Sequence, residues 1–591
     1  MAVTIALLLP ALSPSGAAAA EKRVVLAWVP SDTTVAQLEA AGFSPGVMSA
    51  GLGTVPAEQT YLDVSQGNRV FDSLYDSPLP DFGQERSGWR REVVERAESA
   101  PADIVPGLLS ASLASEGVSS RFSEDRAASL SQLPRGGAGE MVIAIARPTG
   151  RNDAPLPIGI VGGGFAGNLT SDSTRTDGYV LSTDVAPTIL EWLDIAVPSQ
   201  MSGQPIRTEG TVDVAAIESL AQRMEVISSR RGTVIGLPIA AWLLLALVIA
   251  VASRRGLALP AVRLLGLSLV FLPLLLLLGA ALEPAETVEA LLVGIGAPVL
   301  GAATLASFDG YRALALASAA TVIAYAIDVI AGSPLTSLSL LGPNPGLGVR
   351  FYGIGNELEA LLAVLVIAGA GAGLIAYGAC VSRRTSAAVF VGVGLLAAFV
   401  FAAGRFGADV GAAIVFPVGA AVAAVAIAGR GRRSLLLVLV AVPVAALALL
   451  ALVDLLSGAN AHLTRSVLDA GGMGELADVV QRRLQLSARS FGRPVLLAFM
   501  PLVLAAAAFA CLRRERLRAW VAGVPAMRAG LLGALAATAV GTLANDSGAL
   551  LLEIGAAYLL VFIGFAWAEN AGKSEKSGAE DEKLHLPAPH V

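Results

Sequence analysis

The sequence is short of charge, cysteine and histidine, and the first two shortages each exclude a class of protein. Only 15% of its 591 residues are charged, and the formal net charge of -6 leaves no basic surplus. A chain without such a surplus is not expected to bind nucleic acid. The two cysteines, Cys380 and Cys511, are too few and too far apart for a disulfide framework or a zinc knuckle. The sequence therefore indicates no metal site and no cofactor.

What the sequence has in abundance is apolar residues. They make up 55% of the chain, and the mean hydropathy is +0.68. This composition is typical of a polytopic membrane protein that carries a polar portion. From residue 234 onward, apolar runs of about twenty residues follow one another, which is the length needed to cross a hydrocarbon core about 30 Å thick. We predict eleven spanning helices, at 234–253, 259–282, 288–307, 311–331, 353–379, 386–403, 408–428, 434–456, 494–512, 527–545 and 548–567.

The first twenty residues have the pattern of a secretory signal peptide. A short apolar core is followed by small residues that end in Ala18-x-Ala20, although an early Lys or Arg is missing. A signal anchor that stays attached is the alternative for residues 1–20. In either case, the chain that follows is expected to lie outside the cytoplasm.

Basic residues predict the orientation of the spans. Of the 41 Lys and Arg residues, 17 fall in turns that we assign to the cytoplasm, 7 on the opposite side and 17 before the first span. Basic residues concentrate on the cytoplasmic side of membrane proteins. We therefore expect the first span to start outside and the C-terminus to lie inside, with a transmembrane domain at 233–568 and a disordered cytoplasmic tail at 569–591.

The polar N-terminal part, residues 21–232, has an α/β pattern. Short β-like runs, among them RVVLAWV, MVIAIA and PIGIVGG, stand between helical and loop-like stretches. The expected architecture is therefore an α/β extracytoplasmic domain followed by an all-α transmembrane bundle of about eleven helices.

One stretch of this domain, TDGYVLSTDVAPTILEWLDIAVPSQMSGQPI at 176–206, resembles the C-terminal signature of the alkaline-phosphatase-like superfamily of sulfatases, phosphodiesterases and phosphoethanolamine transferases. That signature is a T-D-x-x-P-T-[IL]-L turn and helix followed by a G-x-x-[IL] turn. The matching residues are Thr183, Asp184, Pro187, Thr188, Ile189, Leu190, Gly203 and Ile206. The resemblance implies a reduced alkaline-phosphatase-like fold, and the matched stretch is structural rather than catalytic.

The departures from that superfamily bear on activity. Its active members hold divalent metals with several His and Asp side chains around a Thr, Ser or Cys nucleophile. This chain has no histidine before His462, and RPTG at 147–150 replaces the Asp-His pair expected after MVIAIA. Asp32 is the candidate for the first-strand aspartate, and Thr54 or Thr60 for the nucleophile. We therefore expect a degenerate domain without metal-dependent hydrolase or transferase activity, which binds, caps or positions something for the membrane half.

Four polar segments interrupt the apolar runs, at 342–359, 404–411, 459–494 and 544–548, and the orientation places all four outside. Ionisable groups near a membrane interior are costly, and they usually face a cavity, pair with one another or mark a substrate path. We predict an outward-facing polar cavity. Its predicted catalytic residues are His462, Glu357 and Asp409, and its predicted substrate-binding residues are Arg350, Asn356, Arg405, Arg465, Asn545 and Asp546.

Simpler roles compete with that prediction. A single arginine at the outer end of a span is often an anchor that extends its charge to the interface. The histidine of the long outer loop would be solvated or structural if it does not act as a general base beside Arg465. The glycines of these segments permit either broken helices that line a cavity or close helix packing.

Three functions fit these features. The leading hypothesis is a cell-envelope protein that handles a lipid-linked or anionic substrate, such as a polyprenyl-linked lipid, at the outer membrane face. Its layout is similar to that of glycosylphosphatidylinositol ethanolamine-phosphate transferases, and weakly similar to that of O-antigen ligases and polymerases. The second hypothesis is an ion-coupled transporter or flippase that uses Glu357, Asp409, Asp546 and Glu553. The third is a scaffold, and the sequence leaves open whether the chain is an enzyme.

Overall fold

The computed structural model describes residues 2–5, 22–80, 89–100, 102–119, 121–123, 129–137, 139–152, 154–252, 257–378, 381–457, 485, 487–492 and 494–584. The chain divides into two compact units. Unit 1 comprises Met1–Ser229 and Pro343–Phe351, and unit 2 comprises Arg230–Gly342 and Tyr352–Val591. The chain therefore leaves unit 1, returns to it for nine residues and then completes unit 2.

Unit 1 contains a mixed seven-stranded sheet. Its strands and those of two small two-stranded sheets are β1 (Ala2–Ile5), β2 (Arg23–Val29), β3 (Ser44–Ser49), β4 (Val55–Pro56), β5 (Arg121–Ser123), β6 (Glu140–Ala146), β7 (Arg151–Asn152), β8 (Leu156–Gly162), β9 (Asn168–Ser171), β10 (Tyr179–Leu181) and β11 (Ile206–Glu209). The order in the large sheet is β10-β3-β8-β6-β2-β1-β5. β2 pairs in parallel with β6 and β3 with β10, whereas β8 runs antiparallel to both of its neighbours. The three runs predicted as strands are confirmed as β2, β6 and β8.

Beyond their charged first residues, Arg23 and Glu140, the central strands β2 and β6 are apolar because both faces of the sheet are covered. Ile143 of β6 packs into one core with Leu26 of β2, and Val142 packs into a second core with Val25. The helices that begin in unit 1 are α1 (Val35–Ala40), α2 (Ala57–Gln66), α3 (Trp89–Glu98), α4 (Leu108–Ser115), α5 (Val185–Trp192) and α6 (Val214–Arg231).

The stretch that carries the family resemblance packs on itself. The Thr188 hydroxyl donates to the Asp184 carbonyl at 2.6 Å and accepts from the Ile206 amide at 2.8 Å. A Cβ on Gly203 would lie 2.0 Å from the Thr183 carbonyl oxygen, so this close approach requires glycine. The matched residues thus form one structural element, and their assignment to the alkaline-phosphatase-like superfamily stays a prediction.

Unit 2 is built from helices. They are α7 (Leu237–Ala252), α8 (Ala258–Leu282), α9 (Glu286–Ser307), α10 (Gly310–Ile330), α11 (Asn356–Tyr377), α12 (Arg383–Ala402), α13 (Val410–Ile427), α14 (Arg432–Ser457), α15 (Pro494–Leu512), α16 (Arg514–Trp520), α17 (Pro525–Ala544) and α18 (Gly548–Leu584). A π-helical turn, Gly232–Gly236, joins α6 to α7 as one continuous helix.

Nine helices in the described part of the chain are long and apolar enough to cross a membrane. They are Val214–Ala252, Ala258–Leu282, Glu286–Ser307, Gly310–Ile330, Asn356–Tyr377, Arg383–Ala402, Val410–Ile427, Pro525–Ala544 and Gly548–Ala571. Many of their Leu, Ile and Val side chains are exposed, which is expected of helices that face lipid. These nine coincide with nine predicted spans. The other two predicted positions hold α14 and α15, and the count of eleven spans stays a prediction.

Small residues let three of these helices pack closely. A Cβ on Gly419 of α13 would lie 3.0 Å from the Ala537 methyl group of α17, and one on Gly371 of α11 would lie 2.8 Å from the Ala526 carbonyl oxygen. Such contacts are typical of helices that associate within membranes, where close backbone approach replaces the hydrophobic effect.

Both chain ends have regular secondary structure where they are described. Ala2–Ile5 form β1, which pairs with β2 and β5, although the sequence predicts a signal segment there. Residues 6–21 lie outside the described part, so the signal segment stays a prediction. At the other end, α18 continues to Leu584, whereas the sequence predicts disorder from residue 569. The segment is rich in Ala, Glu and Lys, which have high helix propensity, and it extends an existing helix without a new nucleation step.

Candidate functional site

Polar residues from separate parts of unit 2 lie around the starts of α11 and α13. We call this set the polar cluster. Its members are Arg231, Asn356, Glu357, Glu359, Asp409, Asn545 and Asp546. Three of them fall in the first turn of α11, where the two carboxylates are favoured by the helix dipole.

Glycine contacts bring two of the predicted polar segments together. The Ile354 amide donates to the Gly407 carbonyl at 3.1 Å. A Cβ on Gly353, whose φ is +77°, would lie only 1.9 Å from that same carbonyl oxygen. The Gly353 amide in turn donates to the Ser333 hydroxyl at 2.9 Å. Glycine at these positions therefore serves the close approach of two backbones.

The centre of the polar cluster is a buried carboxylate. Glu359 is 0% exposed, and its Oε2 accepts a hydrogen bond of 2.6 Å from the amide nitrogen of Asn545, which is 7% exposed. A Cβ on Gly411 would lie 2.6 Å from Glu359 Oε2 and 2.7 Å from Asn545 Nδ2. The start of α13 therefore has room for this pair only because residue 411 is glycine.

The N-terminus of α13 carries a second buried carboxylate. Asp409 is 2% exposed and caps the helix, with its Oδ1 accepting from the Gly411 amide at 2.9 Å. Its position next to Gly411 keeps it close to the Glu359–Asn545 pair. Two carboxylates from two helix starts are therefore buried in one region.

More exposed polar contacts surround this centre. The Asn356 amide nitrogen donates to Asp546 Oδ1 at 3.1 Å. Arg231 Nη1 lies 3.5 Å from Glu357 Oε1, and Arg231 Nη2 donates to the Gly342 carbonyl at 3.2 Å. Arg231 thus contacts the chain both before and after the segment that returns to unit 1.

The predicted site residues fall into three groups. Five of the nine lie in the polar cluster, namely Glu357, Asp409, Asn356, Asn545 and Asp546. Arg405 is exposed in the turn before α13, and Arg350 belongs to the segment Pro343–Phe351 of unit 1. His462 and Arg465 lie outside the described residues.

Two central residues were not among the predicted site residues. Glu359 was passed over in favour of Glu357, although both stand in the first turn of α11. The two positions point to different sides of a helix, but the apolar residues four places beyond them, Leu361 and Ala363, are both buried, so the local pattern does not tell the two carboxylates apart. Arg231 was counted with the soluble domain because it precedes the first apolar run.

Unit 1 has a buried polar group of its own. Asp63 is 1% exposed, and its Oδ1 accepts from Gln59 Nε2 at 2.7 Å and from Gln66 Nε2 at 3.3 Å. Burial raises the pKa of Asp63 to about 7. Arg69, these two hydrogen bonds and Arg96 all act to lower the pKa, and Arg69 has the largest opposing effect. Burial also raises the pKa of Asp184, even though that carboxylate accepts hydrogen bonds from two serine hydroxyls.

The residues considered for phosphatase-like chemistry occupy different environments. Asp32 and Thr54 are exposed, whereas Thr60 is fully buried within α2. In the described part of the chain, no group of three or more His, Cys, Asp and Glu residues could hold a metal ion. Cys511, the cysteine within that part, is exposed and free.

A surface pocket of about 690 Å³ lies elsewhere in unit 1. Trp192 and the glycine turn at 163–164 line it, together with Lys22 and Arg207. Each basic side chain is already paired, because Lys22 contacts Asp194 and Arg207 Nη2 lies 2.6 Å from Asp172 Oδ1. Carboxylates therefore already neutralise both of these basic side chains.

No family model, curated protein or solved structure matches this chain. The polar cluster contains four carboxylates and two carboxamides against one guanidinium group, so hydrogen-bond acceptors outnumber donors. Such a set suits a ligand that donates hydrogen bonds, for example through hydroxyl or ammonium groups.

Proposed function

We propose that unit 2 binds the polar headgroup of a lipid-linked anionic substrate at the polar cluster, on the extracytoplasmic side of the membrane. The burial of Glu359, in the first turn of α11, against Asn545, which follows the end of α17, is the observation that carries this proposal. Buried ionisable groups in membrane proteins are costly and commonly mark a substrate path.

The depth of the polar cluster favours a headgroup over a solute that binds midway across the membrane. Glu359 is the fourth residue of α11, which places it about 5 Å along the helix from its first residue. The midplane of the hydrocarbon core lies about 15 Å from either edge. A ligand whose chain stays in the lipid would therefore bring its headgroup to the depth of these side chains.

The charges of the polar cluster narrow the ligand class. Carboxylates repel a phosphate but accept hydrogen bonds from hydroxyl groups, as in a sugar. The exposed Arg405, in the turn that leads to α13, provides a cation for a phosphate at the same helix start. A lipid-linked sugar phosphate satisfies both requirements, and this supports the cell-envelope hypothesis, including polyprenyl-linked lipids.

Within this proposal, unit 1 is a non-catalytic extracytoplasmic domain with a reduced alkaline-phosphatase-like fold, and the transmembrane region has eleven spans. The self-packed element around Asp184 supports the first assignment, and the helices α14 and α15 support the second. Orientation rests on the distribution of basic residues.

The test is native mass spectrometry of the full chain purified in detergent. We expect the wild type to retain a phosphorylated lipid, and Glu359→Gln and Asn545→Ala to lose it. Glu515→Gln is the matched control, because Glu515 lies in α16 and is 75% exposed. Equal retention in all variants, or no phosphorylated lipid in the wild type, contradicts the proposal and leaves a scaffold as the better description.

A second function, proton-coupled lipid transport, is favoured by the complete burial of Glu359 and by the position of Glu553 within α18. A carboxylate that changes protonation during transport makes flux depend on pH. Scrambling of a fluorescent NBD-phosphatidylglycerol in proteoliposomes, followed by dithionite bleaching at pH 6 and pH 8, tests it. Scrambling that depends on pH in the wild type and is lost in Glu359→Gln would support transport.

A further inference from the structure

The segment that leads into α11 is part of unit 1. We call Pro343–Phe351 the strap. It contains a 3₁₀ turn, Pro345–Leu347, and its backbone adopts left-handed conformations at Asn344 and Gly348, with φ of 53° and 68°. Tertiary contacts must hold such a conformation, because a short isolated segment would not keep it.

Four hydrogen bonds hold the strap within unit 1. Arg69 Nη2 donates to the Gly348 carbonyl at 2.8 Å, and the Tyr179 hydroxyl donates to the Pro345 carbonyl at 2.7 Å. The Gly53 amide donates to the Leu347 carbonyl at 2.7 Å. Near the start of the strap, the Asn344 side chain donates to the Ser228 hydroxyl, also at 2.7 Å.

Arg69 is one of the residues that link the strap to the rest of unit 1. Its Nη1 donates to the Ser49 hydroxyl at 3.2 Å, at the end of β3, and its guanidinium carbon lies 5.9 Å from the centre of the Phe351 ring. The fit beside it is tight, because a Cβ on Gly348 would lie 2.1 Å from the Gly51 carbonyl oxygen. One side chain therefore contacts the sheet and the end of the strap.

The distance from the strap to the polar cluster along the chain is very short. Phe351 is the last residue of the strap, and the Gly353 and Ile354 amides are already hydrogen-bonded inside unit 2. Two residues of chain span at most about 7 Å. Displacing the strap by more than a few ångströms must therefore stretch or break these anchors, which directly precede Glu357 and Glu359.

We propose that Arg69 is a positioning residue, which holds the strap and thereby sets the position of the first turn of α11 and of Glu359 in the polar cluster. The effect of Arg69 on ligand binding rests on the proposed lipid-binding function. Its effect on the position of α11 does not depend on that proposal.

Two variants release the strap in different ways. Arg69→Met removes its hydrogen bonds but also takes away a basic neighbour of the buried Asp63, so unit 1 itself is weakened. Gly348→Ala leaves Arg69 and Asp63 unchanged and displaces the strap by steric clash. Gly117→Ala is the matched control, because Gly117 has a similar φ of +74° but nothing within 4 Å of a Cβ.

Hydrogen–deuterium exchange of the full chain in detergent is the measurement. We expect Gly348→Ala and Arg69→Met to speed exchange at least tenfold in peptides from the strap and in peptides that contain the Gly353, Ile354 and Glu359 amides. Peptides from the middle of α13 should stay unchanged, which shows that unit 2 remains folded. Gly117→Ala should leave all these peptides as in the wild type.

If exchange becomes faster in the strap alone, the Arg69 contacts stabilise the strap but do not affect α11. If exchange in the strap does not change, these contacts do not hold the strap. Either result overturns the inference. Lipid retention separates the two proposals. If the wild type and Gly348→Ala hold a phosphorylated lipid equally while Glu359→Gln loses it, lipid binding stands and control by the strap fails. If the wild type holds no such lipid, the lipid-binding proposal fails, and the exchange data still decide whether Arg69 positions α11.

Discussion

Replacing Asp63 with asparagine should remove a pH dependence from the stability of unit 1. The pKa of this carboxyl is raised from 3.8 to about 7, chiefly by burial. The folded chain then binds the proton more tightly than the unfolded chain does. Stability from this group is fully present below about pH 4 and is lost as the pH rises through 7.

The size of the effect follows from the two pKa values. Between pH 5 and pH 8, the shift from 3.8 to about 7 corresponds to a loss of roughly 2–3 kcal/mol in the free energy of unfolding. The side chain introduced by Asp63→Asn cannot ionise, so its contribution should be the same at both pH values. Its carboxamide oxygen can still accept from Gln59 and Gln66, which keeps the local hydrogen bonds.

Hydrogen–deuterium exchange in peptides from α2, corrected for the intrinsic effect of pH, measures this change in the full chain. We expect the opening of α2 to become about 100-fold more frequent between pH 5 and pH 8 in the wild type, and to be constant in Asp63→Asn. Asp32→Asn is the control at an exposed carboxyl. A flat wild-type profile, or the same fall in Asp63→Asn, would refute the assignment of a buried carboxyl with a raised pKa.

Three further predictions concern packing and hydrogen bonds. Gly411→Ala should lower the free energy of unfolding by about 1–3 kcal/mol, because the added methyl group would crowd the buried Glu359–Asn545 pair. Gly392→Ala is the control: a Cβ at residue 392 has open space, so the melting temperature in detergent should stay unchanged. Arg230→Met should lower the free energy of unfolding by about 3–5 kcal/mol, because it removes the 3.0 Å ion pair with the fully buried Glu289 and leaves that charge unpaired. The double variant Arg230→Met, Glu289→Leu has no buried charge at this position, so it should melt at a higher temperature than Arg230→Met. Tyr179→Phe should raise exchange in the strap several-fold through the loss of one hydrogen bond of about 1 kcal/mol, and unchanged exchange would show that this bond does not hold it.

Much of the fold was predictable because it depends on local pattern. Apolar runs of about twenty residues predicted spanning helices, and the described part of the chain has nine helices at the expected positions that are long and apolar enough to cross a membrane. The central strands of unit 1 were recognisable as short runs that are apolar after their first residue, since a covered sheet needs no polar face. The helix through the C-terminal segment was not predicted, because charged composition indicates disorder in an isolated chain but does not prevent extension of an existing helix.

The candidate site was predicted in outline. Five expected residues, among them Asn545 and Asp409, do lie in the polar cluster, since charges at the mouths of apolar helices are costly and tend to be gathered together. Which carboxylate is buried was missed: Glu357 is half-buried and pairs with Arg231, whereas Glu359 is completely buried. That difference depends on which side of α11 faces α13 and α17, and neighbouring sequence does not encode it.

The apolar runs, the central strands and the segments in which charge is concentrated could be read from the amino-acid sequence, because each is a property of a short stretch of chain. The membership of the strap in unit 1, the burial of Asp63 and the room that Gly411 leaves for the Glu359–Asn545 pair could be seen only in the folded chain. Burial and close approach depend on residues far away along the chain, which meet only when the helices and strands have packed.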